Sequence, residues 1–126
     1  MYFKKLAKNT TIIGRETESL ANNFLLNQGL QWLCSNYRCY HGEIDLIMRH
    51  NQYLVFVEVR SRNSLNFGGA IASITPAKQK KLIKTAMHYQ ITTKQWELYP
   101  CRFDLILLQG KNNQIEWLQN FILGED

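Results

Sequence analysis

The sequence predicts an α/β domain in which helices pack on a β-sheet, with the element order α-β-β-β-α-β-β. Three observations favour this class: two segments have apolar residues at helical spacing, a strong β-hairpin lies between them, and further apolar runs follow the second helix. A chain of 126 residues is long enough for one packed domain and too short for two ordinary ones. We therefore expect a single domain over residues 1–126.

The first helix is predicted to run from about Ile13 to Gln28. Its apolar stripe consists of Leu20, Ala21, Phe24 and Leu25. Gly29 suits the left-handed conformation that commonly ends a helix. The basic, polar segment 1–11 is predicted to be a loose arm, and residues 30–38 are predicted to form a strand.

A β-hairpin is the clearest local pattern. One strand covers residues 43–49 and the other covers residues 53–60, with a polar turn between them. Both strands are nearly continuous apolar runs, which indicates a sheet covered on both faces. Residues 61–74 are rich in Gly, Ser and Asn and are predicted to form a long loop, a kind of segment that often carries function.

The second helix is predicted to begin at Pro76, with Thr75 as its N-cap. Its expected apolar stripe consists of Leu82, Ile83, Ala86 and Met87. A core strand at residues 101–109, a turn at residues 110–113 and an edge strand at residues 115–121 complete the prediction.

The net charge of +5 favours anionic partners, with nucleic acid first, although a merely soluble basic protein is the alternative. Cys34, Cys39 and Cys101 form an odd, low count that argues against a disulfide framework. The N-terminus lacks the apolar core of a signal peptide, and no apolar run approaches the ~20 residues of a membrane span. We therefore expect a cytoplasmic protein with free thiols and no membrane partner.

Acidic side chains interrupt both apolar strands of the hairpin. A two-residue turn at residues 50–51 would place Asp45 opposite Phe56 and Glu43 opposite Glu58. Cross-strand partners share a face, so Glu43, Asp45, Glu58 and Arg60 would all point the same way. Asp45 and Glu58 would be diagonal neighbours, roughly 7–8 Å apart at the backbone. A three-residue turn would instead move Glu58 to the other face.

Two neighbouring carboxylates in a buried strand pair are costly unless positive charge compensates them. Hard oxygen ligands suit Mg²⁺ or Mn²⁺, which can activate water and stabilise charge on a phosphoryl group. Asp45 and Glu58 are therefore candidate metal ligands. The alternative is an ion-pair network with nearby arginines, which are Arg38, Arg60, Arg62 and Arg102.

The second helix carries four lysines: Lys78, Lys80, Lys81 and Lys84. Lys78 lies in the first turn, where a cation opposes the helix dipole unless a phosphate docks there. Together with Arg60, Arg62 and the Gly68-Gly69 loop, Lys78 and Lys81 could form a groove for a nucleic-acid backbone. The alternative is a solvated basic face.

The runs Gly42–Ile47 and Phe56–Arg62 resemble the signature of the YraN family, a widespread bacterial family of uncharacterised proteins. Further matching positions are Gly14 with Glu18 and Ala21, Phe67-Gly68, Pro76 with Lys78, and Arg102-Phe103-Asp104. The resemblance implies a restriction-endonuclease-like fold, similar to Holliday-junction resolvases, with a central mixed sheet flanked by helices.

The resemblance also implies a nuclease-type site. With the Mg²⁺ or Mn²⁺ that the carboxylate pair suits, the first expected function is a metal-dependent nuclease, with DNA preferred over RNA as its substrate and branched or damaged DNA included. Asp45 and Glu58 take the ligand positions, and Glu18 is the helix carboxylate that assists them, unless it is simply solvated. Arg60 would neutralise the scissile phosphate, but it stands where the nuclease pattern prefers Lys and cannot act as a base.

Two other functions remain open at this point. One is a non-catalytic nucleic-acid-binding protein that keeps the nuclease fold, and the other is a protein-interaction module with structural carboxylates. A homodimer is a further expectation, because nucleases of this fold often cut two strands with two subunits.

Overall fold

The computed structural model describes residues 2–62 and 74–122, with side chains from residue 14 to 61 and from 74 to 122. The elements are α1 (Tyr2–Asn27), β1 (Gln31–Cys39), β2 (Gly42–His50), β3 (Tyr53–Arg62), α2 (Pro76–Thr93), β4 (Cys101–Gln109) and β5 (Gln114–Leu118). The predicted order α-β-β-β-α-β-β is confirmed.

The five strands form one mixed sheet in the order β1-β2-β3-β4-β5. Only β3 and β4 are parallel, and α2 lies in the connection between them, as a parallel pair requires. The α1 helix packs on one face, where Ala21 and Leu25 contact a buried cluster that includes Leu46 and Val57. The α2 helix covers the other face, so the apolar runs of β2 and β3 are buried on both sides, as predicted.

Between the sheet and α2, Phe56 lies in a second buried cluster. Its other members include Ile44, Ile47, Leu54, Ala86 and Tyr89. On α2, the buried residues are Thr85, Ala86 and Tyr89, while Met87 of the predicted stripe is 54% exposed. Thr75 Oγ1 accepts a hydrogen bond from the Lys78 N–H at 3.3 Å, which confirms the predicted N-cap and the start at Pro76.

Helix α1 begins at Tyr2, well before the predicted start near Ile13, and includes most of the segment 1–11 that was expected as a loose arm. That segment contains good helix formers and neither proline nor glycine, which permits a helical backbone. Leu20 is 39% exposed and does not share the buried stripe of Ala21 and Leu25. Gly29 has φ of 96° and ends the helix as predicted.

Two predicted boundaries at the loops are corrected. Strand β3 continues through Arg62, so residues 61 and 62 belong to the strand rather than to the long loop. The rest of that loop up to residue 73, with Phe67, Gly68 and Gly69, lies outside the described residues, as does the side chain of Arg62. Strand β5 ends at Leu118, because Asn120 adopts a left-handed conformation with φ of 54°.

Neither of the two helices in the described part of the chain is long and apolar enough to span a membrane. Cys34, Cys39 and Cys101 are free thiols, as the sequence predicts.

Candidate metal centre

Strands β2 and β3 separate at the position of the two acidic residues. Their pairing starts at His50 with Tyr53 and ends at Leu46 with Val57. Beyond that point, β2 continues along β1 and β3 continues along β4. Continuing the register by one step would place Asp45 directly opposite Glu58, so both residues lie where the two strands fork.

The predicted hairpin register is wrong by two residues. The turn consists of Asn51 and Gln52, and Asn51 adopts a left-handed conformation with φ of 58°, which suits asparagine. A shift of two residues preserves the face on which each side chain lies. The expected approach of Asp45 to Glu58 is therefore retained, and the two become opposite rather than diagonal partners.

Asp45 lies at a bend in β2. Ile44 packs in the cluster on the α2 side, whereas Leu46 packs in the cluster on the α1 side. Residues two apart in a regular strand share a face, so the strand must rotate at Asp45. Asn36 faces this position on β1 and has φ of 55°, so both strands are irregular here. Asp45 Oδ2 accepts a hydrogen bond from the Val59 N–H at 2.9 Å, which bridges the fork.

Glu58 and Arg60 face α2, because they alternate with Val57 and Val59, which pack toward α1. The Glu58 side chain is 15% exposed and lies within hydrogen-bonding reach of the Asp45 carboxyl group. Glu58 Oε2 also forms an ion pair with Arg60 Nη2 at 2.7 Å. The two carboxylates thus converge, although Asp45 arrives through a bend rather than from a shared regular face.

Burial raises the pKa of Asp45 to about 8, and the nearby negative charge of Glu58 adds to this effect. The hydrogen bond from Val59 opposes the shift, whereas the charges of Glu18 and Glu43 raise the pKa further. Burial also raises the pKa of Glu58, against the opposing charge of its partner arginine. Four carboxylates therefore influence one small region around the fork.

The arginines that could have formed a plain ion-pair network are mostly engaged elsewhere. Arg38 Nε lies 3.2 Å from Glu43 Oε2, and Arg102 pairs with Asp104. Among the described side chains, Asp45 has no basic partner within ion-pair distance. Among the described side chains, which do not include that of Arg62, the ion-pair alternative therefore holds for Glu58 with Arg60 and not for Asp45.

Two cavities flank the fork. The one on the α1 side measures about 290 Å³ and is lined by Gly14, Arg15, Glu18, Asn36, Arg38 and Glu43. The one on the α2 side measures about 140 Å³, and its charged lining consists of Glu43, Glu58, Arg60, Lys78 and Lys81. Apart from Arg62, whose side chain lies outside the described residues, the predicted site residues therefore lie around one fork, with Glu18 on one side and both lysines on the other.

The sequence reasoning did not select Arg15, Asn36 or Val59. Arg15 precedes Glu18 by three residues on α1, a spacing that places two helical side chains on one surface and could have identified it. Asn36 and Val59 act through a bend and a backbone N–H group, and side-chain type gives no signal for either role.

The donor set suits a hard divalent cation. Mg²⁺ commonly binds through one or two carboxylates while keeping several waters, and Asp45 with Glu58 supplies two. No group of three His, Cys, Asp or Glu side chains in the described residues forms a ready metal-binding cluster. A divalent cation would reduce the electrostatic repulsion between these two buried carboxylates, whose pKa values are raised. The residues therefore fit such an ion.

The metal-free protein is expected to lose stability as the pH rises from about 4 to about 8. Folded Asp45 keeps a proton that the unfolded chain releases near its ordinary pKa of 3.8, so deprotonation in this range favours unfolding. The slope should reach at most about 1.4 kcal/mol per pH unit for each such proton. Urea denaturation in EDTA measures the free energy of unfolding at each pH. Asp45→Asn should make that free energy less dependent on pH. Identical pH dependence in the variant and the wild type would contradict the role of Asp45.

The family model described as "Uncharacterised protein family UPF0102" matches residues 17–108. A UPF0102 protein of Legionella pneumophila is 52% identical over 107 residues, which cover 85% of this chain and 91% of that protein. A UPF0102 protein of Nitrosomonas europaea is 53% identical over 108 residues, covering 85% and 90%. One from Saccharophagus degradans is 46% identical over 113 residues, covering 89% and 94%.

Proposed function

We propose that this chain, which belongs to the uncharacterised protein family UPF0102, also called the YraN family, is a metal-dependent nuclease that hydrolyses phosphodiester bonds in DNA. One observation carries the proposal: Asp45 and Glu58 meet at the strand fork, and Asp45 has no basic partner among the described side chains. A basic cavity beside them offers a place for a phosphate.

Asp45 and Glu58 would hold Mg²⁺ or Mn²⁺, which when bound supplies an acidified water and neutralises phosphoryl charge. Arg60 places a guanidinium beside Glu58, where it can hold a phosphate oxygen through its planar donors. Its Nε is buried and without a hydrogen-bond partner in the described part of the chain, so one donor remains to be used. Glu18 adds a carboxylate on the α1 side that can orient a water.

The nucleic-acid backbone would run over the α2 side of the fork, where Lys78 and Lys81 share a cavity with Arg60. Arg62 lies two residues further along β3 and extends the same row of basic positions. We assign DNA rather than RNA as the substrate, with branched or damaged forms included, and we place the reaction in the cytoplasm. Cleavage of both strands would require two subunits, which makes a homodimer part of the proposal.

Reversing the charge at Lys81 is expected to weaken DNA binding and reduce its salt dependence. Each lost phosphate contact should lower the slope of log K against log salt concentration by about 1. Lys80→Glu is the matched control, because it makes the same change on the same helix at a position outside the cavity. Fluorescence anisotropy across a salt series measures the slope for each variant. Lys78→Glu should behave like Lys81→Glu. Equal effects of the substitutions at Lys78, Lys80 and Lys81 would contradict a contact localised at the cavity.

The direct test is a cleavage assay on linear, flapped and four-way DNA with Mg²⁺, with Mn²⁺ and with EDTA. The proposal expects divalent-dependent cleavage of at least one substrate. Cleavage unaffected by EDTA, or no cleavage together with no Mn²⁺ binding in calorimetry, would contradict it.

A second function is favoured by one observation, which is that arginine occupies the position where the nuclease pattern prefers lysine. Arg60 cannot release a proton near neutral pH and is paired with Glu58 at 2.7 Å. The chain would then bind nucleic acid without cleaving it. Salt-dependent DNA binding with no cleavage of any substrate would support this function over the first.

A further inference from the structure

An aromatic pair projects into solvent from the turn between β1 and β2. Tyr40 is 88% exposed, although a large aromatic side chain gains most of its stabilisation from burial. Its ring lies 4.0 Å from the ring of His41, centroid to centroid, at an angle of 35°. The two rings are tilted against each other, and the largely exposed ring of Tyr40 offers a surface on which a third flat ring could lie.

This pair borders a cavity of about 370 Å³ that lies against α2. Its lining residues are Tyr40, His41, Lys84, Met87, His88 and Ile91. Met87 and Ile91 are 54% and 62% exposed, so apolar side chains form much of the surface, while Lys84 adds a positive charge. An apolar, aromatic surface with a cation at its side has the chemistry that binds a base and its phosphate.

The aromatic cavity adjoins the candidate metal centre along one helix. Lys78 and Lys81 line the cavity at Glu58, and Lys84 and His88 line the aromatic one. These spacings of three and four residues keep the side chains on one surface of α2. The ten helical steps from Lys78 to His88 rise about 15 Å, which corresponds to roughly four stacked nucleotides at 3.4 Å each.

Gly42 allows this close approach of the turn to α2. It has φ of 155°, and a Cβ atom at this position would lie only 3.2 Å from Thr85 Oγ1. The glycine therefore allows the turn that carries Tyr40 and His41 to lie close to α2, beside the cavity at Glu58.

We propose that Tyr40 and His41 stack on an unpaired base of a nucleic acid whose backbone follows α2 from the metal centre. The inference rests on the proposed function and names its substrate class, which is a duplex with a single-stranded segment a few nucleotides from the phosphate at Asp45 and Glu58. Base stacking is common to DNA and RNA, so single-stranded tails of each belong in the test.

The experiment compares a fluorescein-labelled blunt DNA duplex with the same duplex carrying a six-nucleotide DNA or RNA tail. The wild-type chain should bind the tailed forms more tightly, and Tyr40→Ala should remove that preference, weakening tailed binding roughly 5- to 30-fold while leaving blunt binding unchanged. Tyr40→Phe should keep the preference, and Tyr40→Leu should lose it. Leu98→Ala is the control, because Leu98 is 94% exposed beside the turn at the opposite end of β2.

The outcomes separate this inference from the proposed function. Equal binding of blunt and tailed duplexes, unaffected by Tyr40→Ala, would overturn base stacking and leave the nuclease proposal standing. No binding of any duplex would overturn both. If analytical ultracentrifugation showed a dimer that Tyr40→Ala dissociates, with no preference for tails, the patch would belong to contact with a second copy and the inference would fail.

Discussion

Asp45→Asn is expected to abolish Mn²⁺ binding and to lower metal-dependent DNA cleavage by about 10²- to 10³-fold, the usual cost of removing a group that stabilises charge in the transition state. The asparagine carbonyl can still accept the hydrogen bond from the Val59 N–H, so the strand fork should keep its geometry. The substitution therefore removes the charge and retains the structural contact. Isothermal calorimetry measures Mn²⁺ binding, and single-turnover cleavage measures the rate.

Glu116→Gln is the matched control for that substitution. Glu116 is an exposed acid on β5, three strands away from β2, and its side chain bonds only to Gln109 in the described structure. It should bind Mn²⁺ and cleave like wild type. Thermal unfolding in EDTA gives an independent readout, because Asp45→Asn should be at least as stable as wild type near pH 8, where the native carboxylates repel each other. Normal Mn²⁺ binding by Asp45→Asn would remove Asp45 from the site.

The approach of Asp45 to Glu58 was predictable because side chains in a strand alternate with a period of two. An error of two residues in the hairpin register preserves the face of each side chain in the regular part of the strands, from Leu46 and Val57 to the turn, so the wrong turn assignment did not separate the two acidic positions. The element order was predictable for a similar reason, since apolar periodicity and the Thr75-Pro76 helix start are local signals.

The bend at Asp45 was not predictable, because it depends on contacts distant in sequence. Ile44 and Leu46 are both apolar, and nothing in their types indicates that they pack on opposite faces. The bend coincides with the left-handed conformation of Asn36 on the neighbouring strand and with the hydrogen bond from the Val59 N–H that crosses the fork. The early start of α1, in contrast, has a local cause. Its first residues favour a helical backbone, although their apolar residues give only a weak helical pattern.

Asp104 shows the same limit. The sequence identified it only as part of a motif with Arg102 on a late strand, which suggested nothing about its contacts. Its carboxylate is fully buried and accepts hydrogen bonds from Arg102, from Trp117 Nε1 at 3.0 Å and from the Asn120 N–H at 2.9 Å. Two of these donors follow β4 in sequence and are brought back to it by the turn into β5. The Asn120 contact also helps to end β5 at Leu118.

Asp104→Asn is expected to destabilise the protein by about 3–5 kcal/mol, the cost of leaving one partner of a buried ion pair without compensation. Arg102 would keep its charge with a side chain only 12% exposed, and because the amide nitrogen replaces one of the two acceptor oxygens, either Trp117 or Asn120 would lose its acceptor. The loss is a large share of the 5–15 kcal/mol that typically stabilises a domain. Urea denaturation followed by tryptophan fluorescence and circular dichroism measures it.

The paired substitution Arg102→Met with Asp104→Leu keeps this prediction testable if Asp104→Asn does not fold. Removing both charges leaves no buried ion without a partner, so the double variant should recover much of the lost stability, although Trp117 and Asn120 would still lack their acceptor. Glu116→Gln should change stability by less than about 0.5 kcal/mol, because it alters only an exposed side chain. If Asp104→Asn cost no more than this control, the buried carboxylate would not stabilise the β4–β5 end of the sheet that supports β3 and its Glu58.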